Sequence, residues 1–411
     1  MSSKYQRLVA RGRIAAVPFV AAAAVAGGVI ATSSASARKV GHPASATISK
    51  ATLAKLKVDV AKAQQAPKWY APGPPVNARK ALRGKTIVTF PISSEIDACN
   101  TKGQQGYLDK EAAALGAHVR ALSSNTGPAG WQANLAQAVT DKASAVVMLC
   151  GPTAAVLAPQ LATLAAHHIP VVDGNYNQTG GNPAFPFKGL SGESGVNTIQ
   201  GVQTDLADAL VNLNGKPAKI LFLDSSQVAQ DSGALGGLKA AIKAWCPTSC
   251  SIVKQENFPT TEWSGPTETA AISSDLQANP SINTVIVTFD GMTDGIESTI
   301  AQDASSHPGL KMYAWGGGLA EIKDVSISNT FLGDSGPNEQ WDAYNQLDQV
   351  IRLLSHKRAA PVGKEIAPNI FFTKKNAKIF SVGGRGQAYS DQAYSKGAFI
   401  TDFLKLWEVK K

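Results

Sequence analysis

From Lys85 onward, short β-branched runs alternate with amphipathic stretches of helical period. Val285-Ile286-Val287-Thr288-Phe289 is the plainest run; it stops at Asp290-Gly291-Met292 and is followed by a helical pattern with Ile296, Ile300 and Ala304 on one face. His307-Pro308-Gly309 breaks that helix, and a second run, Leu310 to Trp315, ends at Gly316-Gly317-Gly318. Such alternation predicts parallel sheets covered by helices on both faces. In open parallel sheets the ligand crevice lies beyond the carboxyl ends of the strands. The chemistry is therefore expected in the loops that carry Asp290 and the glycine triplet.

The same pattern predicts a first set of strands at Thr86–Ile92, Ala117–Leu122, Ser144–Leu149, Ile169–Val172 and Phe185–Leu190. Helices are expected between them at 101–115, 130–142 and 155–167. A second set follows a helix over 196–213, with strands at Lys219–Leu223, Ser251–Gln255, Thr284–Phe289, Lys311–Trp315 and Phe331–Gly333. Its helices are expected at 233–245, 267–277 and 294–303, and further helices at 338–354 and 399–407. Two successive α/β sets imply two lobes, with right-handed crossovers.

Two segments precede the lobes. Residues 1–37 have a basic start, an apolar run from Ile14 to Ile30 and Ala35-Ser36-Ala37, a pattern that reads as a secretory signal peptide. No cysteine lies near that cleavage site, so lipid anchoring is not expected; a retained membrane anchor is the competing reading. Residues 38–84 read as a basic, Pro-rich tether. A short helix is expected over 52–65, with Leu53, Leu56 and Val60 on one face, before Pro67, Pro72, Pro74 and Pro75 exclude regular structure. The tether is expected to be mostly a solvated linker, with Trp69 and Tyr70 packing on the first lobe; its basic residues could also hold it against an anionic envelope surface.

Charge sharpens this division. The 411-residue chain carries +9 overall, of which 1–37 supply +4 and 38–85 supply +10, leaving −5 over 86–411. An acidic body argues against a nucleic-acid partner. The four cysteines, Cys99, Cys150, Cys246 and Cys250, lack zinc-ligand spacing, and an even count in an exported chain points to two disulfides. Cys246 and Cys250 bracket Pro247-Thr248-Ser249 at a helix end, which predicts a local bridge.

Phosphate-loop and dinucleotide fingerprints are absent, and none of the six histidines falls at a strand's carboxyl end. No metal or cofactor is expected. The strand ends carry Ser93, Ser94, Glu95 and Asp97, then Asn175 and Tyr176, in the first lobe, and Asp231, Trp263, Asp290 and Asp334 in the second. Each has an ordinary alternative as a cap or turn residue. As a set facing one crevice they suit a small polar ligand.

On the opening strand and helix, Ile169-Pro170-Val171-Val172-Asp173, Asp290-Gly291-Met292, Trp315-Gly316-Gly317-Gly318 and Gln387-Ala388-Tyr389 to Trp407, the chain resembles the type I periplasmic binding proteins of ABC importers, ribose/galactose class. The resemblance implies two Rossmann-like lobes with parallel sheets joined by three hinge crossovers near Gly192, Asp334 and Val362. It divides the chain into an N-terminal lobe of 85–192 and 335–362 and a C-terminal lobe of 193–334 and 363–411. It implies a monomeric extracytoplasmic protein, not an enzyme, that captures a sugar, polyol or related solute for ABC permease subunits. A receptor subunit for a membrane histidine kinase is the alternative, and a hydrolase using Asp97 and Asp290 a remoter one. By the resemblance Trp263 stacks on the ligand, Asp290 meets hydroxyls, and Gly316 stands where that class has an aspartate. The family's 2-1-3-4-5 strand order also makes the first and third strands neighbours, which predicts a Cys99–Cys150 bridge.

Overall fold

The computed structural model describes residues 47–177, 188–231, 233–293, 295–303, 305–361, 363–377 and 397–409, with the side chains of 175–177 and 230 left out. The described chain from 47 onward is an α/β structure of two lobes, each built on a parallel sheet.

The first sheet has the order β2-β1-β3-β4-β5, from β1 (Thr86–Pro91), β2 (His118–Ala121), β3 (Ala145–Leu149), β4 (Val171–Asn177) and β5 (Gly192–Val196). All its pairings are parallel, with Ile87 opposite Val119 on one side and Ala145 on the other. β3 is buried at every position, as an Ala-Val-Val-Met-Leu run covered on both faces must be. The last strand differs from expectation. It is Gly192–Val196, not 185–190; residues 185–187 lie outside the described residues and Lys188-Gly189 form a turn. Gly-Glu-Ser-Gly-Val has little strand propensity, but it is buried beneath the helix Glu339–Leu354, where a Cβ at Gly192 would already touch Gln349 at 3.4 Å.

The second sheet has the order β11-β10-β9-β8-β6-β7, from β6 (Lys219–Asp224), β7 (Ser251–Asn257), β8 (Thr284–Val287), β9 (Lys311–Trp315), β10 (Phe331–Gly336) and β11 (Ile370–Thr373). Only β11 runs antiparallel, against β10. β11 and the helix α10 (Leu319–Ile327) have no counterpart in the sequence reading.

Among the described residues three crossovers pass between the lobes after β1. The first leads from β5 into α6 (Thr198–Asn212) and the second from β10 into α11 (Glu339–Leu354). Each ends in an asparagine N-cap: Asn197 Oδ1 accepts from Gln200 N at 2.9 Å, and Asn338 Oδ1 from Trp341 N at 2.9 Å. The third passes through Glu365–Asn369, where Gly195 N donates to Glu365 O and Ala367 N to Gly195 O, so two crossovers pair as a short parallel bridge.

α11 lies on the first sheet, against β3, β4 and β5, and nearly all of it is buried although it carries Gln340, Asp342, Asn345, Gln346, Asp348, Gln349 and Arg352. Several of those groups are hydrogen-bonded: Ser194 Oγ donates to Asp342 Oδ1 at 3.2 Å, and Gln349 Nε2 to Glu193 O at 2.8 Å. Arg352 forms an ion pair with Asp348, whose Oδ1 also accepts from Trp407 Nε1 at 2.7 Å. Trp407 follows α12 (Ala398–Leu406), which packs on α11 through Phe399 and Phe403 against Trp341 and Tyr344. The expected assignment of all of 363–411 to the second lobe is thereby corrected: α12 presents an apolar, aromatic face that matches α11 in the first lobe's layer.

The tether also departs from expectation. α1 (Lys50–Ala63) is not a solvated helix: Leu56 and Val60 are buried against Val202, Leu206 and Leu210 of α6, in the second lobe. Residues beyond it cross to α2 (Ala78–Leu82), which packs on α11.

Both disulfides form, Cys99–Cys150 with Cα atoms 5.8 Å apart and Cys246–Cys250 with 5.4 Å.

Candidate functional site

The loops after the strands of both sheets meet in one place. Cys99–Cys150 ties the loop after β1 to the end of β3. There Cys150 and Gly151 both have positive φ, 59° and 68°, and turn the chain toward the second lobe. Thr153 N then donates to Gln227 O (3.1 Å), Ala229 N donates to Gly151 O (2.8 Å), and Pro152 pairs with Val228. The two lobes thus touch along a main-chain latch, with the strand-end loops shut against one another.

On the first-lobe wall the serines shape the loop. Ser93 Oγ accepts from Glu95 N (3.2 Å), and Ser94 Oγ accepts from Ser124 N (2.8 Å). Asp97 is exposed; both its oxygens accept from Lys102 Nζ at 2.8 Å, and Asn100 Nδ2 donates to it. Asn175 and Tyr176 sit at the end of β4, Tyr176 opposite Gly195, but their side chains lie outside what is described.

On the second-lobe wall Trp263 is half-buried. Its ring lies 5.1 Å from that of Phe289, which lies 6.5 Å from Trp315, and its Nε1 donates to Phe258 O at 3.2 Å. Asp231 is buried: its Oδ2 accepts from Ser225 N (2.7 Å) and Thr288 Oγ1 (2.6 Å), and burial pushes its carboxyl up to about 8.

Asp290, Gly316 and Asp334 form one arrangement with two acids that sequence reasoning missed, Glu321 and Glu339. Gly318 N donates to Asp290 Oδ2 at 2.7 Å, and Gly317 N donates to Asp334 Oδ1 at 3.4 Å. Glu339, the first residue of α11, is hydrogen-bonded to the Leu319 backbone. Three successive amides, those of 317–319, are therefore met by three carboxyl groups from β10, the end of β8 and the second crossover. Burial first, then the charge of Glu321, holds Asp334 and Glu339 well above the usual carboxyl range; Asp97 of the first lobe adds to the effect on Glu339. The triplet's place before a helix was the available signal: amides at a helix N-terminus need acceptors. It went unused because α10 was not foreseen.

Gly316 has no room for a side chain, since a Cβ there would lie 1.9 Å from Asp290 Oδ1. Among the described residues no group of His, Cys, Asp and Glu has the arrangement to hold a metal ion.

A first sheet in the order 2-1-3-4-5, and a second whose five parallel strands repeat that order with the antiparallel β11 added at its edge, decide the architecture. The chain has the type I periplasmic-binding-protein fold. Similar solved structures include a 5-methylthioribose transporter solute-binding protein from Thermotoga lettingae in complex with 5-methylthioribose, at 12% identity and TM-score 0.64 over 82% of this chain and 100% of that one. An ABC transporter solute-binding protein from Mycobacterium smegmatis with bound glycerol matches at 15% identity and TM-score 0.59, over 72% of this chain and 96% of that one. One from Agrobacterium vitis with bound allitol matches at 18% identity and TM-score 0.58, over 72% and 98%. No family model matches the sequence, and no curated protein matches it.

Proposed function

We propose that this protein is an extracytoplasmic solute-binding protein. It captures a small polar ligand, a sugar, a polyol or a related compound, between its lobes and delivers it to an ABC import permease. The observation that carries this reading is the meeting of the two sets of strand-end loops at Pro152 and Val228, with Trp263, Phe289 and Asp290 on the second lobe's loops at the same sheet ends supplying aromatic and polar groups. The proposed neighbours' ligands, glycerol, allitol and 5-methylthioribose, are of that chemistry.

In this reading Trp263 covers the apolar face of the ligand, and Asp290, with Asn175 opposite, meets its hydroxyls. Ser93, Ser94 and Asp97 shape the first-lobe wall. Asp231 and Asp334, buried and bonded to their own lobe, position the loops that carry Thr288 and Gly317. No catalytic step is assigned. Closure stabilises the bound state through contacts that exist only when the lobes are shut.

The proposed location rests on the leader-like residues 1–37, and among the described residues no helix is long and apolar enough to cross a membrane. The exposed face of α1 carries Lys50, Lys55, Lys57 and Lys62, which supports a peripheral contact with an anionic envelope surface. The protein is proposed to act as a monomer. A thermal-shift panel of sugars, polyols, nucleosides and small acids tests the binding reading. A true ligand at 100 times its Kd adds about 2.7 kcal/mol of stability; a panel without any response counts against it.

A further inference from the structure

The segment before β1 holds both lobes at once. Its start is fixed to the second lobe: Ile48 N donates to Gly215 O, α1 buries Leu56 and Val60 on α6, and Gln64 Nε2 donates to Thr373 Oγ1 of β11. Its middle lies on the hinge, where the Tyr70 hydroxyl is hydrogen-bonded to the Ile366 backbone within the third crossover. Its end is fixed to the first lobe. Arg352 Nη1 donates to Pro74 O (3.1 Å), Lys357 Nζ to Pro75 O (3.1 Å), Val76 N to Leu406 O (2.9 Å) and Ala78 N to Trp407 O (3.1 Å). Gly73 passes so close to Arg352 that a Cβ would lie 2.7 Å from its guanidinium, and Trp69 packs edge-on against Phe403 at 5.5 Å.

We propose that residues 47–77 are a strap across the hinge that restrains the separation of the lobes, so that ligand affinity is set by the strap as well as by the cleft. This rests on the solute-binding reading for its consequence, but not for the mechanical claim. Between Gln64 and Val76 the strap carries Pro67, Pro72, Pro74 and Pro75, which make a chain stiff and disfavour its recoiling. A stiff segment with anchored ends fixes the distance between its anchors. Lobe opening must therefore detach α1 from α6, break the Arg352–Pro74 contact, or stretch what lies between them. Each route adds to the cost of opening and favours the shut arrangement even without ligand.

The latch amides give a direct readout, because Thr153 N and Ala229 N are hydrogen-bonded across the lobes, and separating the lobes would break both bonds. Six Gly/Ser residues inserted between Ala66 and Pro67 lengthen the strap while leaving both anchors intact. In the unliganded full chain, hydrogen exchange at Thr153 and Ala229 is expected to rise by about tenfold or more, while amides of β1 and β8 keep their protection. Unchanged exchange at the two latch amides, with β1 and β8 protected, overturns the proposal. If the insertion disturbs folding, a protease site placed at the same exposed position and cut after folding gives the same comparison: faster latch exchange after the cut supports the strap, and no change refutes it. Failure of the ligand panel leaves this result intact, so the two readings fail separately.

Discussion

The carboxylate of Asp290 occupies the space that a side chain at Gly316 would need: a Cβ there would lie 1.9 Å from Oδ1, while Oδ2 accepts from Gly318 N at 2.7 Å. The acid comes from the end of β8 and the gap from the end of β9, so neither residue explains itself alone. Gly316→Ala is expected to destabilise the protein by about 1–3 kcal/mol through overpacking. In an Asp290→Ala background the same change should cost much less. Urea unfolding of the four proteins of this cycle measures the coupling; additive costs would show that the two positions are independent.

In the buried pair Arg352–Asp348, Asp348 also accepts from Trp407 Nε1, and Arg352 Nη1 donates to Pro74 O of the strap. Arg352→Ala leaves the buried Asp348 carboxylate with the Trp407 indole and the neighbouring Glu365 carboxyl but no cation, and should cost about 3–5 kcal/mol. Chemical unfolding checks this; a loss under 1 kcal/mol would mean that the pair is a minor contributor.

The fold was legible where hydrophobic runs were long. Val285 to Val287 and Ala145 to Leu149 are buried throughout and were read as strands. β5 was missed because its buried Gly-Glu-Ser-Gly-Val owes its strand to α11, not to propensity. The apolar face of α1 was visible, but its partner on α6 is 140 or more residues away, and local pattern carries no record of that pairing. At the site, Trp263, Asp290 and Gly316 were singled out from their place at strand ends. Glu321 and Glu339 were not, since their role arises only where α10 and α11 begin side by side.

Cys99–Cys150 closes a separation of 51 residues and should contribute about 4 kcal/mol in the chain-entropy model, against about 2 kcal/mol for the four-residue separation of Cys246–Cys250. The Cys99→Ser/Cys150→Ser double variant is thus expected to melt well below the Cys246→Ser/Cys250→Ser variant. Calorimetry on the two decides it, and the reverse order would contradict this assignment of the main covalent restraint.

Burial pushes Glu193 and Glu268 up to about 8, as it does Asp231, and Asp342 up to about 7. In the unfolded chain these carboxyls release their protons near pH 4. Between about pH 4 and 8 the folded protein therefore holds more protons than the unfolded one, and stability falls as pH rises through that window. Denaturation at pH 5 and pH 8 should show the lower stability at pH 8, and Glu193→Gln should narrow the gap. A rise in stability from pH 5 to pH 8 would contradict the protonated state of these groups.

The central claim is that a small polar ligand is held between the lobes against Trp263. Isothermal calorimetry with the best responder of the sugar and polyol panel, on the wild type and on Trp263→Ala, tests it most directly. The account predicts one site per chain in the wild type and an affinity lowered at least tenfold in Trp263→Ala, roughly 1.4 kcal/mol or more, with the unliganded melting point nearly unchanged. Undiminished affinity in a variant whose unliganded melting point falls by several degrees would place Trp263 in the core of its lobe and contradict the proposed grip.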